Sequence, residues 1–426
     1  MEKLFIITKL QRLTNQKKMK TKYLLLCLFF ISTLSAQTPV VKLGVEVLRD
    51  GNFEILKGKK VGLITNPTGV DSKLKSTVDI LFESEEVELA ALYGPEHGVR
   101  GNYSAGDYVD NYIDEVTQVP VYSLYGKTRK PTPEMLKDID VLVYDIQDIG
   151  CRSYTYISTM GVAMAAAAEN GIEFVVLDRP NPLGGEKIEG NLVEDGFISF
   201  VSQFKIPYVY GLTCGELAKM LNEEGMLEGG IKCKLTVVPM AGWKRGMKFE
   251  ETGLQWVPAS PHVPHKDSPV YYVTSGILGE LGVCSEGVGY TLPFQLLGAE
   301  WIEPSKIAEN MKTLGIEGVI FRPISFKPYY GRNANKELGG VQIHITDYKK
   351  VNLMSIQFLF LQENHKLYPD SNPFANENRF SMFDKVNGTD KVRKMFTENY
   401  RYDDIKKFLM KDVDDFKKLS EKYYMY

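Results

Sequence analysis

Carboxyl groups recur in this chain beside glycine and proline, in short polar segments that follow apolar runs. Glu96 lies within Tyr93-Gly94-Pro95-Glu96-His97-Gly98-Val99-Arg100-Gly101, where Gly94, Pro95 and Gly98 specify a tight turn. A carboxyl on a rigid turn can be aimed at a substrate, and partial burial would keep it protonated as a general acid. The competing reading is an ion pair with Arg100. His97 suits either a proton shuttle or a structural hydrogen bond. Asp145 and Asp148 flank Gln147 in a second cluster that ends at Arg152. Either is a candidate for the second carboxylate of glycoside cleavage, or for a charge at the start of the following helix. Arg152, followed by Tyr154 and Tyr156, suits a bidentate grip on a ligand carboxylate or a salt bridge to Asp148.

Two further clusters are Thr65-Asn66-Pro67-Thr68-Gly69 and Asp178-Arg179-Pro180-Asn181-Pro182-Leu183-Gly184-Gly185. The second presents Asp178, Arg179 and Asn181 on a stiff segment, or is simply a strand-to-helix loop. Asn191 in Glu189-Gly190-Asn191 and Glu286 in Ser285-Glu286-Gly287 also stand beside glycine. Glu286 is the carboxylate expected from a second wall of a cleft. Other chemistries fit worse. No G-x-S-x-G turn is present for a nucleophilic serine. No Walker loop occurs, and no G-x-G-x-x-G opens a helix after the first strand. His262 and His265 are separated by Val263-Pro264, which breaks the helical face that a zinc pair would use, so no metal site is expected.

The elements that must position these groups are legible as apolar runs at 60–65, 87–93, 140–146, 172–178 and 234–239. They are rich in Val, Ile and Leu without strict alternation, as strands buried on both faces are. Helices are expected between them: one capped by Thr132 before Pro133, one capped by Ser153 and rich in alanine, and one opened by the capping box of Thr213 and Glu216. The alternation predicts an α/β fold, a mostly parallel sheet with helices on both faces. In such sheets ligands bind outside the carboxyl ends of the strands, so the four clusters should converge on one rim. The second half differs. Residues 243–275 read as a Pro- and aromatic-rich loop crossing a cleft, 318–323 and 341–346 as strands, and 403–423 as a helix. This gives a first domain over 37–250 and a smaller α/β domain over 251–426.

Length and composition agree with two domains: 426 residues, 44% apolar and 25% charged. They exclude a disordered chain, a collagen and a polytopic membrane protein. Lys17, Lys18, Lys20 and Lys22 precede an apolar run at 23–31 and small residues ending at Ala36, the pattern of a secretory signal cleaved before Gln37. The run is too short for a stable membrane anchor. Removing residues 1–36 takes seven Lys/Arg and one Glu, and moves the formal charge from −3 to −9. So acidic a chain, periplasmic or extracellular, is a poor nucleic-acid binder. Cys151, Cys214, Cys233 and Cys284 are widely spaced and read as small buried hydrophobes rather than required disulfides.

Taken together, these segments resemble the exo-β-N-acetylmuramidases of the NamZ type, glycoside hydrolase family 171, long known only as a domain of unknown function. The resemblance is carried by 62–69, 93–101, 123–131, 145–160, 178–185, 211–218, 256–264, 285–293 and 339–347, in order over roughly residues 43–420. It implies a Rossmann-like first domain, a smaller α/β second domain and an active site between them. It also implies exo-release of terminal β-linked N-acetylmuramic acid from the non-reducing ends of peptidoglycan fragments. Glu96 matches the family's glutamate in G-P-E-H-G. Two departures stand out: Tyr210 where the family often has His, and Leu338 where it often has Cys.

The implied chemistry suits the residues. Muramic acid carries a lactyl ether ending in a carboxylate, so a specific site needs a cation, and Arg129, Arg152 and Arg179 are on offer. A 2-acetamido group can itself act as nucleophile, which leaves retention or inversion open. No cofactor is required. The expected partners are peptidoglycan-derived sugars or muropeptides. The alternative is a non-catalytic protein that binds muramyl ligands with the same arginines.

Overall fold

In the computed structural model, which describes residues 41–96, 98–101, 111–126 and 128–426, the apolar runs of the first half are strands of one sheet. The signal segment, His97 and Lys127 lie outside the described residues. Among the described residues the sheet has seven strands: β1 (Lys60–Thr65), β2 (Glu88–Gly94), β3 (Tyr112–Ile113), β4 (Pro120–Ser123), β5 (Val141–Asp145), β6 (Glu173–Leu177) and β7 (Lys234–Val238). Their order is β3-β4-β2-β1-β5-β6-β7, parallel throughout except for the short edge strand β3. From β4 to β7 this is the Rossmann order. The chain leaves β1 toward β2 and leaves β5 the other way, toward β6, so the switch point lies between the carboxyl ends of β1 and β5.

Both faces of the sheet are buried, which explains the missing alternation. Val141, Val143, Val175 and Leu177 point into one apolar layer, with Leu48 of α1 (Gly44–Asp50) and Leu81 of α2 (Thr77–Phe82). Leu142, Tyr144, Phe174 and Val176 point into the other. There they meet Met160 and Met164 of α4 (Tyr156–Glu169) and Leu217 and Leu221 of α5 (Cys214–Glu223); α3 (Pro133–Leu136) lies between β4 and β5 in the chain. Small residues let α4 approach closely: a Cβ on Gly161 would stand 2.1 Å from Phe204 Cζ. Thr132 caps α3, and Thr213 with Glu216 forms the capping box of α5, both as expected. Ser153 does not cap α4. The helix starts later, with Thr155 at its N-cap position, and the Ser153 hydroxyl instead joins those of Tyr208 and Tyr272 at 3.2 and 3.1 Å.

The second half holds α6 (Ser268–Gly279) and a three-stranded antiparallel sheet of β8 (Leu296–Ala299), β9 (Val319–Phe326) and β10 (Leu338–Ile345), in the order β8-β10-β9. Helix α7 (Pro304–Thr313) packs on this sheet, and α8 (Ser355–Leu367) packs on α6 and α7. Then follow α9 (Phe380–Asn387), α10 (Lys391–Asn399), α11 (Tyr402–Met410) and α12 (Val413–Ser420). The expected single helix over 403–423 is thus broken after Met410. The apolar layer on the α4 side continues without a break into Ile277, Phe358, Val392 and Phe416. The chain's last residues return to the first sheet: Tyr426 donates its hydroxyl to Asp178 at 2.6 Å, and the Met425 N–H reaches Glu216 at 2.9 Å.

Candidate active site

Three of the four strand-end clusters interlock. Thr65 Oγ1 donates to the Asp145 carbonyl at 2.8 Å, and the Gln147 N–H reaches Thr68 Oγ1 at 2.9 Å. The Gln147 amide donates to the Pro180 carbonyl at 2.7 Å. Arg179 grips Asp145 through Nε at 2.5 Å and Nη2 at 2.9 Å, and also reaches the Val70 carbonyl. Thr77 donates to the same carboxylate. Asp145 and Arg179 are both buried, so this pair clamps β1, β5 and β6 and is closed to a ligand. Asp178 is spent likewise, accepting from Thr213, the Gly215 N–H and Tyr426, while burial pushes its carboxyl up to about 6. Asn181 bonds the Leu212 carbonyl and the Leu183 N–H. It also fills the space that a side chain at Gly150, at φ +79°, would need.

Asp148 is buried as well. It accepts from the Tyr210 hydroxyl at 2.5 Å and the Gly150 N–H at 2.6 Å, and its other oxygen has no partner. Burial pushes its carboxyl up to about 7 against those bonds. Tyr210, where the family often has His, therefore faces this carboxyl. Arg152 corrects two expectations at once: it meets neither Asp148 nor open space. It is 0% exposed and donates to the carbonyls of Asn191 at 2.8 Å, Ile206 at 2.6 Å and Val386 at 3.0 Å. Desolvation brings its guanidinium down to about 10. Asn191 is buried beside it, bonded to Asn387 of α9. Asn66 is buried behind Tyr156, with its carbonyl on Thr68.

Glu96 is different. The turn after β2, closed by the Gly98 N–H on the Pro95 carbonyl at 2.9 Å, leaves it half-buried on the wall of a cavity of about 500 Å³. Arg100 is turned away, paired with Asp114 at 3.0 Å and Asp79 at 3.6 Å. Glu96 accepts from Thr155 at 3.5 Å and lies near the Tyr125 phenol. Burial, then the nearby Glu96 carboxylate, raises the Tyr125 phenol to about 12, against Arg129. Arg129 lines the same cavity, exposed, with its guanidinium 4.4 Å from the centre of the Phe200 ring. Of the three candidate arginines, it is the one open to a ligand here.

Aromatic rings floor the cavity. Tyr154 packs edge-on to Tyr156 and Tyr272, and Tyr272 edge-on to Phe294. The Tyr154 hydroxyl is buried with no well-formed hydrogen bond, beside Ser260 and Tyr156. Part of the lining comes from the second half of the chain. It supplies Glu280, which directly follows α6. Burial raises the Glu280 carboxyl, opposed by Arg379 at 3.5 Å and helped by Glu286. Sequence reasoning chose Glu286 for this part of the lining. Glu286 instead lies behind it, paired with Arg332 at 3.0 Å and packed against Gly279. Glu280 stands between Gly279 and Gly282, the same carboxyl-beside-glycine signal that singled out the others. A second cavity, of about 440 Å³, is lined by Lys187, Arg245, Lys349 and Lys350 and shares none of these residues.

A Rossmann-order sheet that delivers one strand-end carboxyl into a tyrosine-lined cavity shared with a second carboxyl is a frame suited to acid-assisted cleavage of a sugar. Comparison with known proteins makes the class specific. Residues 61–267 match the family model for the N-terminal part of exo-β-N-acetylmuramidase NamZ, and 270–426 match that for the C-terminal part. The chain belongs to this family of glycoside hydrolases. It is 44% identical over 392 residues to the peptidoglycan β-N-acetylmuramidase NamZ of Bacillus subtilis, covering 92% of this chain and 93% of that one. Crystal structures of two DUF1343 family proteins from Bacteroides fragilis are also similar. One is 60% identical with a TM-score of 0.87, over 91% of this chain and 100% of the other. The second is 31% identical with a TM-score of 0.72, over 91% and 99%.

Proposed function

We propose that this protein is an exported exo-β-N-acetylmuramidase that releases terminal β-linked N-acetylmuramic acid from the non-reducing ends of peptidoglycan fragments. The observation that carries the reading is that Glu96 and Arg129 share one open cavity. Arg129 takes the lactyl carboxylate of the terminal sugar. Glu96 gives its proton to the leaving oxygen as the glycosidic bond breaks. A water oxygen then bonds the anomeric carbon, and its spare proton returns to Glu96. Glu280, which lines the same cavity, orients the 2-acetamido group or that water. His97, next to Glu96 in the chain, relays protons to it. The exported location rests on the segment from Lys17 to Ala36, and N-terminal sequencing of the mature protein should begin at Gln37.

The test is hydrolysis of a chromogenic β-N-acetylmuramide beside the matching N-acetylglucosaminide. Release from the muramide alone is expected. Equal release from both, or from neither, overturns the reading, and tight binding of N-acetylmuramic acid with no turnover would mark a non-catalytic binder.

A further inference from the structure

Tyr329 and Tyr330 are 65% and 51% exposed, two consecutive aromatic rings on the loop between β9 and β10. Large exposed rings side by side are uncommon on a soluble surface and mark binding grooves. This loop is held firmly. The Tyr329 N–H bonds the Gly289 carbonyl at 2.7 Å, and the Asn335 N–H bonds the Pro328 carbonyl at 2.9 Å. Gly289 lies so close that a Cβ there would stand 2.2 Å from the Tyr330 carbonyl oxygen. Arg332 ties the loop to Glu286 at 3.0 Å.

The rings are also ordered in direction. Tyr330 lies nearly parallel to His262, 18° between planes and 5.9 Å between centres, and His262 lines the cavity that holds Glu96. Tyr329 lies 26° from the plane of Tyr290 at 5.6 Å. Tyr330 thus stands against a residue of the cavity wall, and Tyr329, next to it in the chain, stands against Tyr290.

We propose that Tyr329 and Tyr330 form a platform for the leaving saccharide, stacking on the pyranose rings beyond the scissile bond. The inference rests on the exo-acting reading above. An enzyme that takes one terminal sugar into a pocket must let the rest of the glycan trail out of it, and the exposed rings begin at a residue that stacks on the pocket's own His262. Rigid tyrosines give a large contact face at low entropic cost, with hydroxyls at the edge for sugar oxygens.

The test compares the full chain with a Tyr329→Ala/Tyr330→Ala double variant. The substrates are a methyl β-N-acetylmuramide, whose leaving group is too small to reach the loop, and a peptide-free tetrasaccharide with a terminal muramic acid. The variant should lose about tenfold in kcat/KM on the tetrasaccharide, the order expected for loss of aromatic stacking. It should keep wild-type kcat/KM on the methyl glycoside, and Tyr330→Trp should retain the tetrasaccharide preference. Equal rates for variant and wild type on both substrates, or equal losses on both, would overturn the platform. So would a loss seen only when stem peptides are attached. If the wild type cleaves neither substrate, the exo-muramidase reading itself fails, a result distinct from an unchanged ratio.

Discussion

Glu96 differs from the other acidic residues of the strand ends in that its carboxyl meets open space. Asp145, Asp148 and Asp178 have comparable sequence contexts, yet each is buried among bonds from the scaffold. Glu96→Gln should therefore lower turnover by at least about a hundredfold, the size of general-acid help, with unchanged thermal stability. The arginines give the sharper contrast. Arg129→Ala should raise KM for muramides by about tenfold or more, as loss of a charge-assisted contact would, and leave the melting temperature alone. Arg152→Ala should do the reverse: it strips three buried carbonyls of their donor and should cost about 3–5 kcal/mol in denaturant unfolding. Sequence could place a guanidinium near the site but could not say whether it faced a ligand or three carbonyls. Two of those carbonyls, of Ile206 and Val386, lie far along the chain from Arg152. Glu280 was within reach of the same reasoning that found Glu96, since glycines flank it closely.

At the scale of elements, the parallel strands β1, β2, β5, β6 and β7 were legible because each is a short Val/Ile/Leu run with turn residues at its end. The short strands β3, β4 and β8 were not, because two to four residues carry too little pattern. The cap of α5 was readable from T-x-x-E, and its wider role was not. Thr213 Oγ1 accepts the Glu216 N–H at 3.2 Å and donates to Asp178 at 2.7 Å, so one hydroxyl serves both a helix end and a buried carboxyl. Thr213→Ala should thus cost about 2 kcal/mol, beyond the usual cap, because Asp178 loses a donor as well. Thr213→Ser should recover most of it. Both are measured by urea unfolding.

Across the whole molecule, the buried carboxyls couple folding to pH. Asp148 is pushed up to about 7 by burial, so the native state holds this proton more tightly than the unfolded chain does. Its stabilising contribution is complete below the ordinary carboxyl range and is lost as pH rises through about 7. Asp148→Asn should keep the Tyr210 and Gly150 bonds without that proton. The melting temperature of the variant should therefore gain on the wild type between pH 5 and pH 8, and an unchanged difference across that interval would contradict the assignment. The return of Tyr426 to Asp178, together with the reach of Arg152 to Val386, bears on how relatives can be recombined. The two family-model segments meet near residue 268, yet they are not freely exchangeable modules. A gene chimera joined there would fold well only if both parents agree at Asp178 and Tyr426 and at Glu194 and Thr389, whose side chains bond across the junction, so compatibility should track those pairs more closely than overall identity.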